Sequence, residues 1–358
     1  MEIPRDKVDY ITVKYGKAFL RGGTKHISEQ IETAIADGSR CATITGNWDI
    51  ESHIRIPSDF TLILDGCNLK MADATFDNMF VNEHHGTEIG KTTEGTDRNI
   101  KLIGKNGTIL YGGTFNALTE RTAEKDGMPP LYKNSLILFT NVNGFETAGL
   151  ALHNFRWWAA NHIFCRNGHI HDIQLKADDI CIDAKGNVCH GLATFRPNDI
   201  LVKQANGICL CMGCRDIQVE NISGFACDDT VLLINRPGKM EAEFAVDDLS
   251  EDLCNITLRK IHTCALNACV KLQTQENTKL YDVLVDDVLD ISDKVSRQIS
   301  RGLRAVHIDS RDESRCYNIT VQNIRSRGKH AVYLEGNEVE NITFEAIAPF
   351  DGGGYINI

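Results

Sequence analysis

No run of 18 apolar residues occurs in this chain of 358 residues, so it offers no transmembrane helix and no membrane partner is expected. The first residues, Met1-Glu2-Ile3-Pro4-Arg5-Asp6-Lys7, lack an apolar signal segment, which makes the cytoplasm the expected location. Basic charge is in deficit. Lys and Arg number 38 against 49 Asp and Glu, for a net charge of −11. That disfavours nucleic acid, because phosphate binding wants a basic face. Zinc-ligand spacing is missing as well. Thirteen cysteines are present, and an odd number without a signal segment argues for reduced thiols. Cys209, Cys211 and Cys214 lack the paired spacing of a zinc site. They read instead as small soft side chains stacking inside the fold, so no metal is expected.

What the chain has is a recurring phrase: a polar residue, aliphatics at alternate places, then an aliphatic one place further on. Five copies begin at Asp216-Ile217, Asn255-Ile256, Asp282-Val283, Asn318-Ile319 and Asn341-Ile342, with a fainter sixth over Gly168–Ile173. Period two is a strand signal, since successive side chains point to opposite faces. The Asn or Asp before the last aliphatic suits a bend, because these residues tolerate left-handed backbone. Ile319 and Ile342 are 23 residues apart, and Val283 and Ile319 are 36 apart. A rung of roughly 20–25 residues with insertions on one side accounts for both.

The predicted fold is therefore all-β, a right-handed parallel β-helix of about ten coils stacked about 4.8 Å apart over one aliphatic core. A β-sandwich would need tight turns alternating evenly with strand pairs, and Asn106-Gly107, Asn143-Gly144, Asn167-Gly168 and Asn206-Gly207 are not so placed. Residues 1–358 read as a single domain, with 1–40 as an N-terminal cap. A helix over 24–37 would put Ile27, Ile31, Ala34 and Ile35 on one face, with Gly38 as its stop. The first clear strands are expected from Ile54. Sequons at Asn221, Asn255, Asn318 and Asn341 fall inside the repeat and read as bend residues. The tail from Asp351 could close the last coil or reach a neighbouring copy in a homo-oligomer.

Chemistry on such a scaffold belongs to the outer face, between long loops. The excursions are roughly 83–98, 113–135, 177–204 and 236–252. Two stretches there resemble the family 28 glycoside hydrolases, the polygalacturonase group within the pectin-lyase-like superfamily. One is Asn206-Gly207-Ile208, then a repeat copy, then Asp228-Asp229-Thr-Val-Leu-Leu-Ile, with 22 residues from Asn206 to Asp228. It is similar to that family's Asn-Thr-Asp-Gly-Ile-Asp and Asp-Asp-Cys-Ile-Ala-Ile. The other is Asn154-Phe155-Arg-Trp157-Trp158, similar to its Asn-Ser-Pro-x-Trp element.

The resemblance implies an inverting hydrolase acting on an oligosaccharide, with Asp228 as general acid and Asp229 activating water. Paired carboxyls suit this work, one held protonated by its neighbour. Asn206 stands where the family has an aspartate, and Asn267-Ala268-Cys269 where it has Gly-His-Gly. No clear copy of the family's Arg-x-Lys appears; Lys271 is the best cation on that rung and His262 a weaker candidate. An outward indole of Trp157 or Trp158 would make a sugar platform, and Arg196, Arg236 and Lys271 could bind a uronate carboxylate. Asp178-Asp179 is a second acidic pair that reads as a loop cap. The hydrolase reading needs no cofactor. A lyase or epimerase on the same scaffold would use Lys271 as base, with Ca²⁺ held by Asp228 and Asp229. A glycan-binding β-helix without catalysis is the third reading.

Overall fold

The computed structural model describes residues 11–14, 16–72, 75, 77–112, 135–155, 158–177, 181–182, 188–189, 206–236, 240–291, 304–336, 338–349 and 354–357. Trp157, Arg196, Asp178-Asp179 and the segment 113–134 lie outside them.

The recurring phrase is the rung of a right-handed parallel β-helix. Its aliphatics pair in register from coil to coil: Ile217 with Ile256, then Val283, Ile319 and Ile342. One step on, Ile222, Ile261, Val288, Ile324 and Ile347 do the same. Long strands such as Leu253–Ala265 belong to a 16-stranded sheet and bend to serve two faces of the coil. The third face is a separate sheet of ten strands, in keeping with about ten coils.

The corners lie where the polar residues predict them. Asn221, Lys260, Asp287, Asn323 and Ala346 hold φ between 51° and 58°. The polar residue that opens each phrase is also left-handed, at Asp216, Asn255, Asp282, Asn318 and Asn341. Asn318 donates to Asp282 at 3.1 Å and Asn341 to Asn318 at 2.6 Å, so the sequon asparagines bond to the coil below. Lys260 and Ala346 break the pattern, since neither has the short polar side chain that eases a left-handed backbone. Lys260→Asn is expected to stabilise the chain by up to about 1 kcal/mol. A higher urea midpoint at unchanged slope would show it.

The cap is a helix at Gly23–Ala36. Ile27, Ile31 and Ala34 enter the same core as Ala42, Ile44 and Ile54, so the helix covers the first coil. Gly38 ends it at φ 78°. Ile35 is 37% exposed, against expectation; it lies about 100° around the helix from Ala34. Strands also begin earlier than expected, at Cys41–Ile44 and Asn47–Ile50. Their four residues alternate too briefly to be read alone, and pairing with Thr61–Asp65 and Asn68–Met71 extends them. A hairpin, Ile11–Lys14 with Lys17–Leu20, precedes the helix within the cap.

Candidate active site

The ten-stranded sheet carries the site because of a local irregularity. Each strand begins with an outward residue and then sends two successive residues inward. Ala159 with Ala160, Cys269 with Val270, Ala305 with Val306, and Ala331 with Val332 all lie in the core. Strict alternation resumes after them. Three outward rows result. Asp229, Ala268, Arg304 and His330 form the first. Leu232, Lys271, His307 and Tyr333 form the second, and Ile234, Gln273, Asp309 and Glu335 the third.

The outer face of this sheet is divided. Towards the N-terminus it is apolar and covered. Trp158, Ile163, Cys209, Cys211, Leu232 and Ile234 form one buried cluster with Phe244 and Val246, which belong to the long excursion after Asn235. Towards the C-terminus it is polar: Lys271, Gln273, Arg304, His307, Tyr333 and Glu335. Asp229 sits at the seam.

Asn206 and Asp229 occupy neighbouring strands. The Asn206 side-chain oxygen accepts the Asp229 backbone N–H at 3.0 Å. Gly207 permits this approach, since a Cβ there would meet the Thr230 carbonyl oxygen at 2.4 Å. Asn267 donates from its amide to Asp229 Oδ1 at 2.8 Å, and its backbone N–H bonds to the Asp228 carbonyl at 2.9 Å. Arg304 in turn donates to the Asn267 side-chain oxygen and lies 4.4 Å over the Tyr333 ring. Asn267 thus aligns one carboxyl and is itself held by a cation.

Asp229 is 2% exposed, whereas Asp228 is half-buried. Burial, and next the charge of Asp228, push the Asp229 carboxyl up to about 8, with Lys271 and Asn267 acting against the rise. At neutral pH Asp229 therefore holds its proton. His307 moves the other way. Burial and the charges of Lys271, Arg304 and Arg311 lower it to about 3. It is neutral, and its Nε2 lies 3.1 Å from Glu335, so the proton is on Nε2. Lys271 and Arg304 make no ion pair among the described residues, although both flank this face.

The other residues expected at the site lie elsewhere. Trp158 is 1% exposed within that buried cluster and offers no sugar platform. Arg236 follows the far end of strand Asp229–Asn235, roughly 20 Å along an extended chain from Asp229. His262 points out of the other sheet while Thr263 points inward to Thr230. It pairs with Asp287 at 3.1 Å in a separate groove of about 670 Å³.

The side chains of His307, Asp309 and Glu335 bring three possible ligand atoms within 4.8 Å of one another. They suit Ca²⁺ poorly. Asp309 already accepts from Gln273 at 2.9 Å and from Arg311 at 2.9 and 2.7 Å, and three cations act on His307. Ca²⁺ wants six to eight uncommitted oxygens.

Arg304, His307 and Tyr333 were not singled out from sequence. A second phrase would have found them. Asp229-Thr-Val-Leu-Leu, Ala268-Cys-Val-Lys-Leu, Arg304-Ala-Val-His-Ile and His330-Ala-Val-Tyr-Leu share a small residue, a β-branched residue and a later aliphatic. In each, the first and fourth places face outward.

No family profile matches the chain, and no curated protein matches it by sequence. Solved structures do. A tailspike of E. coli bacteriophage HK620, solved in complex with pentasaccharide, superposes with a TM-score of 0.52 at 12% identity; the match covers 97% of this chain and 63% of that one. The family 28 exopolygalacturonase of Yersinia enterocolitica gives 0.48 at 13% identity over 98% and 77%. The hyperthermoactive exopolygalacturonase of Thermotoga maritima gives 0.44 at 12% over 92% and 88%. What the chain shares with the tailspike is the fold, a right-handed parallel β-helix.

Proposed function

We propose that the chain is a glycoside hydrolase acting on an anionic oligosaccharide, with Asp229 as the proton donor and Asp228 activating water. The observation that carries this is the buried Asp229 carboxyl, raised to about 8 beside a second carboxylate. A group in that state can protonate a leaving glycosidic oxygen at neutral pH. Half-buried Asp228 is the one of the pair that water can reach. The resemblance to family 28 implies the opposite assignment; the different burial of the two carboxyls favours exchanging the roles. Asn206 and Asn267 position the pair and take no proton. Lys271 and Arg304 give the face a cationic floor suited to a uronate carboxylate, and the fold likeness to a tailspike bound to a pentasaccharide supports a glycan as the ligand class.

A panel of neutral and uronate-containing oligosaccharides tests the reading. New reducing ends without ultraviolet absorbance are expected from hydrolysis. An unsaturated, absorbing product would mean elimination, and no product at all would leave a binding protein. Lys271→Gln is expected to raise KM for charged oligosaccharides roughly 10- to 100-fold, the worth of a charge-assisted bond. KM for any neutral substrate should stay within about twofold on the same argument.

A further inference from the structure

Three arginines stand on one outward row of the long sheet. Arg98 pairs with Asn143, Asn143 with Arg166, and Arg166 with Arg215. The row continues through Cys254, Tyr281 and Tyr317. It faces outward, because the preceding residues Cys165 and Cys214 lie in the core. Neighbours along it meet side by side: Tyr281 and Tyr317 stack with centroids 5.0 Å apart and planes 6° from parallel. Arg166 and Arg215 occupy the equivalent places on adjacent coils.

None of these guanidiniums makes an ion pair among the described residues. Arg166 is half-buried and donates only to neutral oxygens, Thr96 Oγ1 at 3.1 Å and Asn141 Oδ1 at 3.4 Å. Burial disfavours its cation most, and next the charges of Arg215 and Arg98. Asp216 and Asp252 lie beyond Arg215, where both act on Cys254. Asp216 is engaged by the Asn255 amide, and Asp252 by the Lys279 N–H at 2.9 Å. A partly desolvated cation flanked by like charge is costly unless something neutralises it, and among the described residues no anionic side chain bonds to Arg166, in a chain of net charge −11.

We propose that Arg166 and Arg215 form a binding site for a tetrahedral oxyanion, a phosphate or sulfate group. Two guanidinium forks on adjacent coils need more acceptor oxygens than one carboxylate offers, because a single fork can occupy both of its oxygens. The site is separate from the carboxyl pair. Strand Asp229–Asn235 spans about 20 Å, and the arginine row lies past its far end.

Melting of the whole chain in low-millimolar phosphate, sulfate, acetate or chloride at equal ionic strength tests this. Phosphate and sulfate are expected to raise Tm by about 3 °C over chloride near saturation. Arg215→Gln, and Arg166→Gln with Arg215→Gln, should abolish that rise. In chloride, Arg215→Gln alone should melt no lower than the parent, since it relieves repulsion. Equal melting in all four anions, or a rise that survives in Arg215→Gln, overturns the proposal. Acetate matching phosphate would overturn the tetrahedral assignment.

Discussion

Asp229→Asn is expected to cut turnover about a thousand-fold, the usual worth of a general acid, and to make the protein more stable. The two effects share one cause. In the unfolded chain the carboxyl has its ordinary value of 3.8; in the fold it is held at about 8. A raised carboxyl leaves stability intact below 3.8 and loses it progressively as pH climbs towards 8. At pH 7 the loss is about 4 kcal/mol, at 1.36 kcal/mol per unit. Asparagine keeps an oxygen for the Asn267 amide and carries no charge. Its melting temperature should exceed the parent's at pH 7 and approach it near pH 4. A variant that loses activity without this pH-dependent gain would show that Asp229 is not held protonated. The parent's kcat should decline above about pH 8, as the donor's proton is lost.

Acid should unfold the protein mainly through two histidines. His162 is fully buried and stacked on Phe145, with centroids 4.9 Å apart. Its Nε2 has no partner, and burial lowers it to about 4. His307 is lowered to about 3. Both are neutral in the fold and charge readily once unfolded. Their contribution is therefore complete above pH 6.5 and lost as pH falls from there towards 4 and 3. Between pH 7 and 4 each should remove about 3 kcal/mol.

Asp229 recovers nearly 4 kcal/mol over the same range, so the parent loses only about 2–3 kcal/mol from these three groups. Asp229→Asn should lose about 6 kcal/mol, a visibly steeper acid limb. Asp77 and Glu146, held low partly by hydrogen bonds from His53, Lys101 and His171, weaken the fold in acid equally in both. His162→Phe keeps the aromatic stack and removes one titration. It should be about 3 kcal/mol more stable than the parent at pH 4, relative to their difference at pH 8. Urea unfolding at both pH values measures this, and parallel curves for parent and variant would refute it.

The rung was legible because its determinants are local. Alternation from Ile319 to Val321 and the left-handed tolerance of Asn318 and Asn323 belong to one short segment, and the fold repeats them. The carboxyl pair and Asn206 were legible as neighbours, since one rung of spacing brings them together. Which carboxyl keeps its proton was not. That depends on burial at the seam of the covered face and on Lys271, 42 residues from Asp229 in sequence. Trp158, Arg236 and His262 illustrate the same limit. Their residue types suit sugar binding, but one is buried in an apolar cluster, one lies at the wrong end of a strand, and one on the other sheet.

By itself the sequence determined the coil, its core and the left-handed corners, because period-two patterning and backbone preference act over a few residues. The tertiary structure alone decided which side chains meet across the outward rows of the ten-stranded sheet. It set Arg304 beside Asn267, Lys271 near Asp229, and Arg166 against Arg215. Charge and desolvation act through space, and stacking brings to about 4.8 Å residues that the chain holds tens of positions apart.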